Sequence, residues 1–230
     1  MAKRIVLLLL LGVPLIFADS TPRVPAVDDL LMVKSLRGTQ ISPDGKWVAY
    51  VVSETDFKQD AFVSQIWLAD TTSGALQQLT RGDKSSAGPS WSPDGRWLAF
   101  TSSRNGGKEQ IFAIRPDGGE AVQLTKSDSA VNSLAWSPDG KSIAFVATDP
   151  EPQFMKDRKD YLGEFTVVRK EYAHAHLWTF DVAEALQAPV AGKQRTRGKD
   201  FTVGSYSWSP DAARIAFSAT LNPDLIQGNT

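Results

Sequence analysis

A four-residue phrase recurs along this chain and limits what the chain can become. Ser-Pro-Asp-Gly stands at 42–45, 92–95 and 137–140, and Ser-Pro-Asp-Ala at 209–212. Trp91, Trp136 and Trp208 directly precede the last three copies, and Ile41 precedes the first. Six and seven residues past each proline comes alanine plus an aromatic: Ala49-Tyr50, Ala99-Phe100, Ala144-Phe145 and Ala216-Phe217. A second signal at fixed offset marks these as structural repeats, each a single supersecondary unit.

The pattern inside a repeat is β. In the second copy Pro89 to Trp91 reads as a short strand, 92–95 as a turn, and 96–102 as a second strand. A turn at 104–107, a third strand at 110–114, a turn at 116–119 and a fourth strand at 121–125 follow. The turn chemistry is explicit: proline presets φ, aspartate suits the next position, and glycine takes the left-handed residue of the loop. Ala212 replaces that glycine in the fourth copy, at a cost of about 1 kcal/mol if the left-handed conformation is kept. Leu79-Thr80 and Leu124-Thr125 each lie 13 residues after the isoleucine that starts the third strand. Repeat length varies mainly between the second and third strands, and most in the third repeat, with 39 residues from Pro138 to Leu177.

Four antiparallel strands in a repeat of about 45 residues describe a β-propeller blade. The second strands are apolar on both faces, as stacked blades require; a one-sided sheet would alternate with polar residues. A β-sandwich would not repeat one turn at one point in each unit. The expectation is an all-β, incomplete β-propeller of WD40-like four-stranded blades, with about three and a half blades at 39–82, 88–127, 133–198 and 205–230. The unfinished last blade suggests the N-terminal piece of a longer protein, because open blade edges are avoided. The tryptophans read as packing rather than binding residues.

Ahead of the repeats, Lys3 and Arg4 precede an apolar run from Ile5 to Phe17, and Ala18 suits cleavage. That run is short for a bilayer span and reads as a signal peptide over 1–18, which implies a periplasmic or secreted protein with no membrane attachment after cleavage. Residues 19–38 read as a lead-in, with a short helix over Leu30 to Arg37, Asp28 or Asp29 as its N-cap and Gly38 beyond its C-terminus. Net charge is −1; no overall basic field points to nucleic acid. With no cysteines, disulfides, thiolate metal sites and cysteine nucleophiles are excluded.

The sequence offers no complete catalytic motif. A Gly-x-Ser-x-Gly elbow, a P-loop, a GxGxxG and an HExxH are all missing, so no catalytic residue and no cofactor is assigned. His174 and His176 are the only histidines. Two apart on a strand they share a face, which suits either a metal or ordinary strand-end packing, and no metal ligand is assigned. The insertion 149–172 mixes charges with aromatics. Within it Arg169 and Glu171 are candidates for gripping a peptide carboxylate or amine; the alternative is a solvated charged extension.

The signal region, the lead-in Val27-Asp28-Asp29-Leu30-Leu31, the stretch from Gln40 to Val51 and the His176-Leu177-Trp178 strand together resemble the start of exported peptidases of the prolyl oligopeptidase family. Its dipeptidyl peptidase IV and acylaminoacyl peptidase branches are included. The resemblance covers roughly 27–220. It implies a serine peptidase whose propeller gates or binds peptide substrate and caps an α/β-hydrolase domain C-terminal to Thr230. The double-Glu motif of the dipeptidyl branch is not recognisable. The repeats are also similar to TolB-type propellers, which implies the alternative of a periplasmic protein–protein binding module.

Overall fold

In the computed structural model, which describes residues 24–150, 152–163 and 174–221, every Ser-Pro-Asp copy closes a turn between two antiparallel strands. The serine does most of the closing. Ser92 Oγ donates to Asp94 Oδ1 at 2.6 Å and accepts from the Trp97 N–H at 2.9 Å. Asp94 Oδ1 also accepts from the Arg96 N–H, while the Gly95 N–H donates to the Ser92 carbonyl. The same bonds recur around Ser42, Ser137 and Ser209. Partial burial alone would raise the Asp94 carboxyl, but the hydrogen bonds from Ser92 and Arg96 prevail and hold it at about 2. Asp44, Asp139 and Asp211 are held below their ordinary value chiefly by the hydroxyls of Ser42, Ser137 and Ser209. A carboxylate accepting several hydrogen bonds strongly prefers its charged form.

These turns join the first and second strands of each sheet. The first sheet orders β1 (Ser35–Ile41), β2 (Trp47–Asp56), β3 (Ala61–Asp70) and β4 (Leu76–Gln78) in sequence. The second has β5 (Ser86–Trp91), β6 (Leu98–Ser102), β7 (Gln110–Arg115) and β8 (Gly118–Gln123). The third has β9 (Val131–Trp136), β10 (Ser142–Thr148), β11 (Ala175–Asp181) and β12 (Lys193–Gln194). A fourth, two-stranded among the described residues, pairs β13 (Thr202–Trp208) with β14 (Ile215–Thr220). The sheets are propeller blades, and among the described residues they do not close into a ring. They begin at Ser35, Ser86, Val131 and Thr202, ahead of the expected starts at 39, 88, 133 and 205. The cause is a bulge in each first strand, which lets pairing continue past an irregularity. In the first three blades Gly38, Gly88 and Ser133 take positive φ there. Gly118 and Gly119, expected in a turn, belong to β8, so the β7–β8 turn is only Pro116-Asp117.

Blades stack through both faces of their inner strands. Ala49, Val51, Ile66, Leu68 and Leu79 of the first blade meet Leu98, Phe100, Phe112 and Ile114 of the second. On the other face Ala99, Ile111, Ala113 and Leu124 meet Ile143, Phe145 and Phe180 of the third. Full burial of each large aliphatic or phenyl group contributes about 1.5–3 kcal/mol. A polar ladder runs alongside this packing. The indole N–H of Trp91 donates to the Gln40 carbonyl at 3.2 Å, Trp136 to Ser90 at 3.0 Å, and Trp208 to Ala135 at 3.2 Å. Each tryptophan thus binds the preceding blade at the residue just before that blade's own copy of the same position. Ile41, the first copy, is exposed.

Among the described residues, those up to Met32 belong to one unit and those from Val33 onward to another. In the first, helix α1 spans Val27–Leu31, which corrects the expected helix over Leu30 to Arg37. Asp29 lies inside the first turn, where its carboxylate accepts from the Ala26 N–H at 2.7 Å, so neither Asp28 nor Asp29 is the N-cap. Residues 35–37 are instead claimed by pairing with Ser53, Val52 and Val51, a case of tertiary pairing overriding local helix signals. Gly38 is left-handed as expected, but within β1 and not beyond a helix.

At the turn glycines φ is +73° at Gly45, +69° at Gly95 and +71° at Gly140, and Ala212 follows them at +57°. The strain predicted for Ala212 is therefore present. Ala212→Gly should stabilise the intact protein by about 1 kcal/mol, read as a higher denaturant midpoint at unchanged slope.

Candidate functional site

The His174/His176 pair is the first place to look for chemistry, and the blade repeat explains it. In the first blade the Thr80 hydroxyl accepts from the Ile66 N–H and donates to Gln65 Oε1, both at 2.8 Å, and Gln65 Nε2 donates to the Gly82 carbonyl. The second blade repeats this with Thr125, Ile111, Gln110 and the Ser127 carbonyl. In the third blade His176 stands where the glutamine stood. Its Nδ1 meets Thr196 Oγ1 at 3.2 Å and its Nε2 meets the Gly198 carbonyl at 3.1 Å. The carbonyl partner fixes Nε2 as the protonated nitrogen, leaving Nδ1 to accept from the threonine.

Asp149 Oδ2 lies 3.4 Å from His176 Nε2, so Asp149, His176 and Thr196 superficially line up as acid, base and nucleophile. The hydroxyl is already committed: Thr196 Oγ1 accepts from the Leu177 N–H at 3.0 Å. His176 is completely buried and also stacks edge-on against Phe201. His174 Nδ1 turns instead to the Phe201 carbonyl at 3.2 Å. No group of three or more potential metal-ligating side chains gathers among the described residues. Sequence reading missed this glutamine-or-histidine role. The signal was available, because each such residue directly precedes the aliphatic that the threonine hydroxyl binds.

The insertion of the third repeat forms helix α2 (Gln153–Leu162). Arg169 and Glu171 lie outside the described residues. An open groove of about 770 Å³ runs beside the β11–β12 connection, bordered by Lys126, Glu184, Pro189, Gly192 and Arg195. That connection holds helix α3 (Val182–Ala185), capped by Asp181 accepting from the Glu184 N–H. It then reaches across to the second blade, where the Val190 N–H donates to the Leu124 carbonyl and the Lys126 N–H to the Val190 carbonyl. A β-carbon at Gly192 would sit 3.1 Å from two ring carbons of Phe145. Along this groove the backbone groups of Lys126 and Val190 are spent on holding the second and third blades together.

The repeated architecture has relatives. Residues 33–172 match the TolB beta propeller domain (PD40) family. The chain belongs to that family. Over 94 residues it is 39% identical to the "Uncharacterized peptidase YuxL" of Bacillus subtilis (strain 168), a stretch covering 41% of this chain and 14% of that protein. Among solved structures it is similar to TolB from Acinetobacter baumannii (23% identity, TM-score 0.52, 80% of this chain and 37% of that one). It is also similar to the Pyrococcus horikoshii acylaminoacyl peptidase (16% identity, TM-score 0.55, 78% and 27%). The two structural likenesses establish the fold. This chain spans well under half the length of each of these proteins. Both expected resemblances, to peptidase propellers and to TolB, are therefore present in one propeller fold.

Within this propeller the histidine is a structural replacement for glutamine. His176→Gln should leave the unfolding midpoint of the intact protein within about 2 °C. His176→Ala, which strips partners from Thr196 and Gly198 and opens a cavity, should cost about 2–4 kcal/mol. Equal loss in both variants would show that the imidazole has a role glutamine cannot fill.

Proposed function

We propose that this chain is the N-terminal propeller segment of an exported serine peptidase. In this reading the catalytic serine, aspartate and histidine belong to an α/β-hydrolase domain C-terminal to Thr230, and the propeller gates or binds peptide substrate. The observation that carries it is the 39% identity to a protein named as a peptidase, of which the matched stretch is only 14%. The repeat serines and threonines are committed to turns and strand amides, which suits a scaffold role for this segment. Residues 1–18 serve as the export signal, and the mature protein works in the periplasm or outside the cell. Among the described residues no helix is long and apolar enough to cross a membrane.

A second reading, a TolB-like module that binds other proteins, is favoured by the family match over 33–172. The two readings differ in one reagent. A fluorophosphonate probe should label the intact polypeptide at a single serine beyond Thr230, with labelling lost on heat denaturation. An unlabelled, folded intact protein would overturn the peptidase reading and leave the binding module.

A further inference from the structure

The blades act as controls for one another, and the junction between the first and second departs from the repeat. Ser53 pairs with Ser64 across β2 and β3, and Ser86 with Ser102 across β5 and β6. Strand alternation puts Ser53 on the face of Ala49 and Val51, and Ser102 on that of Leu98 and Phe100. Those two faces pack against each other, so the serine pairs lie on opposing walls of one cleft. All four serines are buried. One junction further on, the repeat spacing gives the places of Ser86 and Ser102 to Val131 and Ala147, both in the apolar core. Blade stacking therefore does not require hydroxyls here.

Two guanidinium groups reach this hydroxyl-lined cleft, at the end of the blades opposite the Ser-Pro-Asp turns. Arg104 Cζ lies 4.9 Å from the Phe100 ring centre and 5.2 Å from that of Phe112. Its Nη2 donates to Ser86 Oγ at 2.8 Å. Arg37 comes from the first blade and donates to Ser64 Oγ at 3.0 Å. The Ser64 N–H in turn donates to Ser85 Oγ at 3.1 Å, and Ser85 adjoins Ser86, so one chain of contacts links the two arginines. At the next junction the places of Arg37 and Arg104 hold Ala87 and Asp149.

Neither arginine forms an ion pair among the described residues. Glu54 is taken by Lys34, and Asp56 by the amides of Lys58 and Gln59. Desolvation holds the half-buried Arg104 guanidinium below its ordinary value, with no carboxylate to offset it. Buried charges are ordinarily paired; here hydroxyls stand where a counter-ion would. Guanidinium groups carry donors only, five each, and most of these are unspent. Ser53, 7% exposed, makes no hydrogen bond through its hydroxyl among the described residues.

We propose that this cleft binds a phosphate group, free or as the phosphomonoester of a small molecule. The charge and the donor set select that class. A carboxylate brings one negative charge and a single two-pronged acceptor, which satisfies one arginine. A phosphate group brings close to two charges and three strong acceptor oxygens near neutral pH. That is enough for both guanidinium groups and for the hydroxyl protons of Ser53 and Ser86, which rotate to suit an acceptor. The site is independent of the peptidase reading.

Isothermal titration calorimetry of the intact protein at low ionic strength tests this with inorganic phosphate, phenyl phosphate and acetate. The expected result is saturable one-to-one binding of a phosphate compound and no saturable binding of acetate. Binding of inorganic phosphate assigns the free ion, and binding of phenyl phosphate alone assigns a monoester. Arg37→Gln and Arg104→Gln should each weaken that binding about tenfold. Arg37 is exposed and touches only Ser64, so its variant carries the test even where Arg104→Gln fails to fold. No saturable heat with either phosphate compound, acetate bound as tightly, or unchanged affinity in Arg37→Gln overturns the proposal.

Discussion

A hydroxyl that donates to an aspartate and accepts from a backbone amide five residues on sets the geometry from which each blade grows. Ser42, Ser92 and Ser137 are buried, and a buried hydroxyl left without partners costs about 1–3 kcal/mol. Placed as they are, these hydroxyls close the turn, fix the register of the first two strands and orient the preceding residue toward the neighbouring blade. Where that residue is tryptophan, its indole N–H reaches the carbonyl of the blade before it. Local turn chemistry and long-range blade stacking are thus one device, repeated along the chain.

The same economy explains why the histidine at 176, which drew notice in the sequence, is structural. Thr80, Thr125 and Thr196 each tie an amide of the third strand to a side chain that bridges toward the next blade. Glutamine and histidine serve equally because both present an acceptor to the threonine and a donor to a loop carbonyl. A histidine in such a network is fully occupied, and its neighbouring carboxylate does not make it a base. The chain departs from repetition at the third-blade insertion, which holds the exposed helix α2.

The blades were legible because proline, aspartate and glycine announce a turn and the apolar pattern on both faces announces stacking. The strain at Ala212 was legible for the same reason: only backbone geometry was needed. The first helix was not, because Asp28, Asp29 and Gly38 mimic cap signals that the pairing of residues 35–37 with the second strand overrides. The role of His176 was hidden because a two-residue spacing on a strand says which face a side chain shares, not what occupies that face. Arg169 and Glu171 lie outside the described residues.

The central claim is that the repeated phrase is architecture, with the tryptophan acting as a bond between blades and not only as filler. Trp136→Phe tests it most directly, since phenylalanine keeps most of the apolar surface and removes the indole N–H that binds the Ser90 carbonyl. Denaturant unfolding of the intact protein should show a loss of about 1–3 kcal/mol, with faster amide exchange in β5 and β9. An unchanged midpoint and unchanged exchange would contradict the account and reduce the tryptophan to packing.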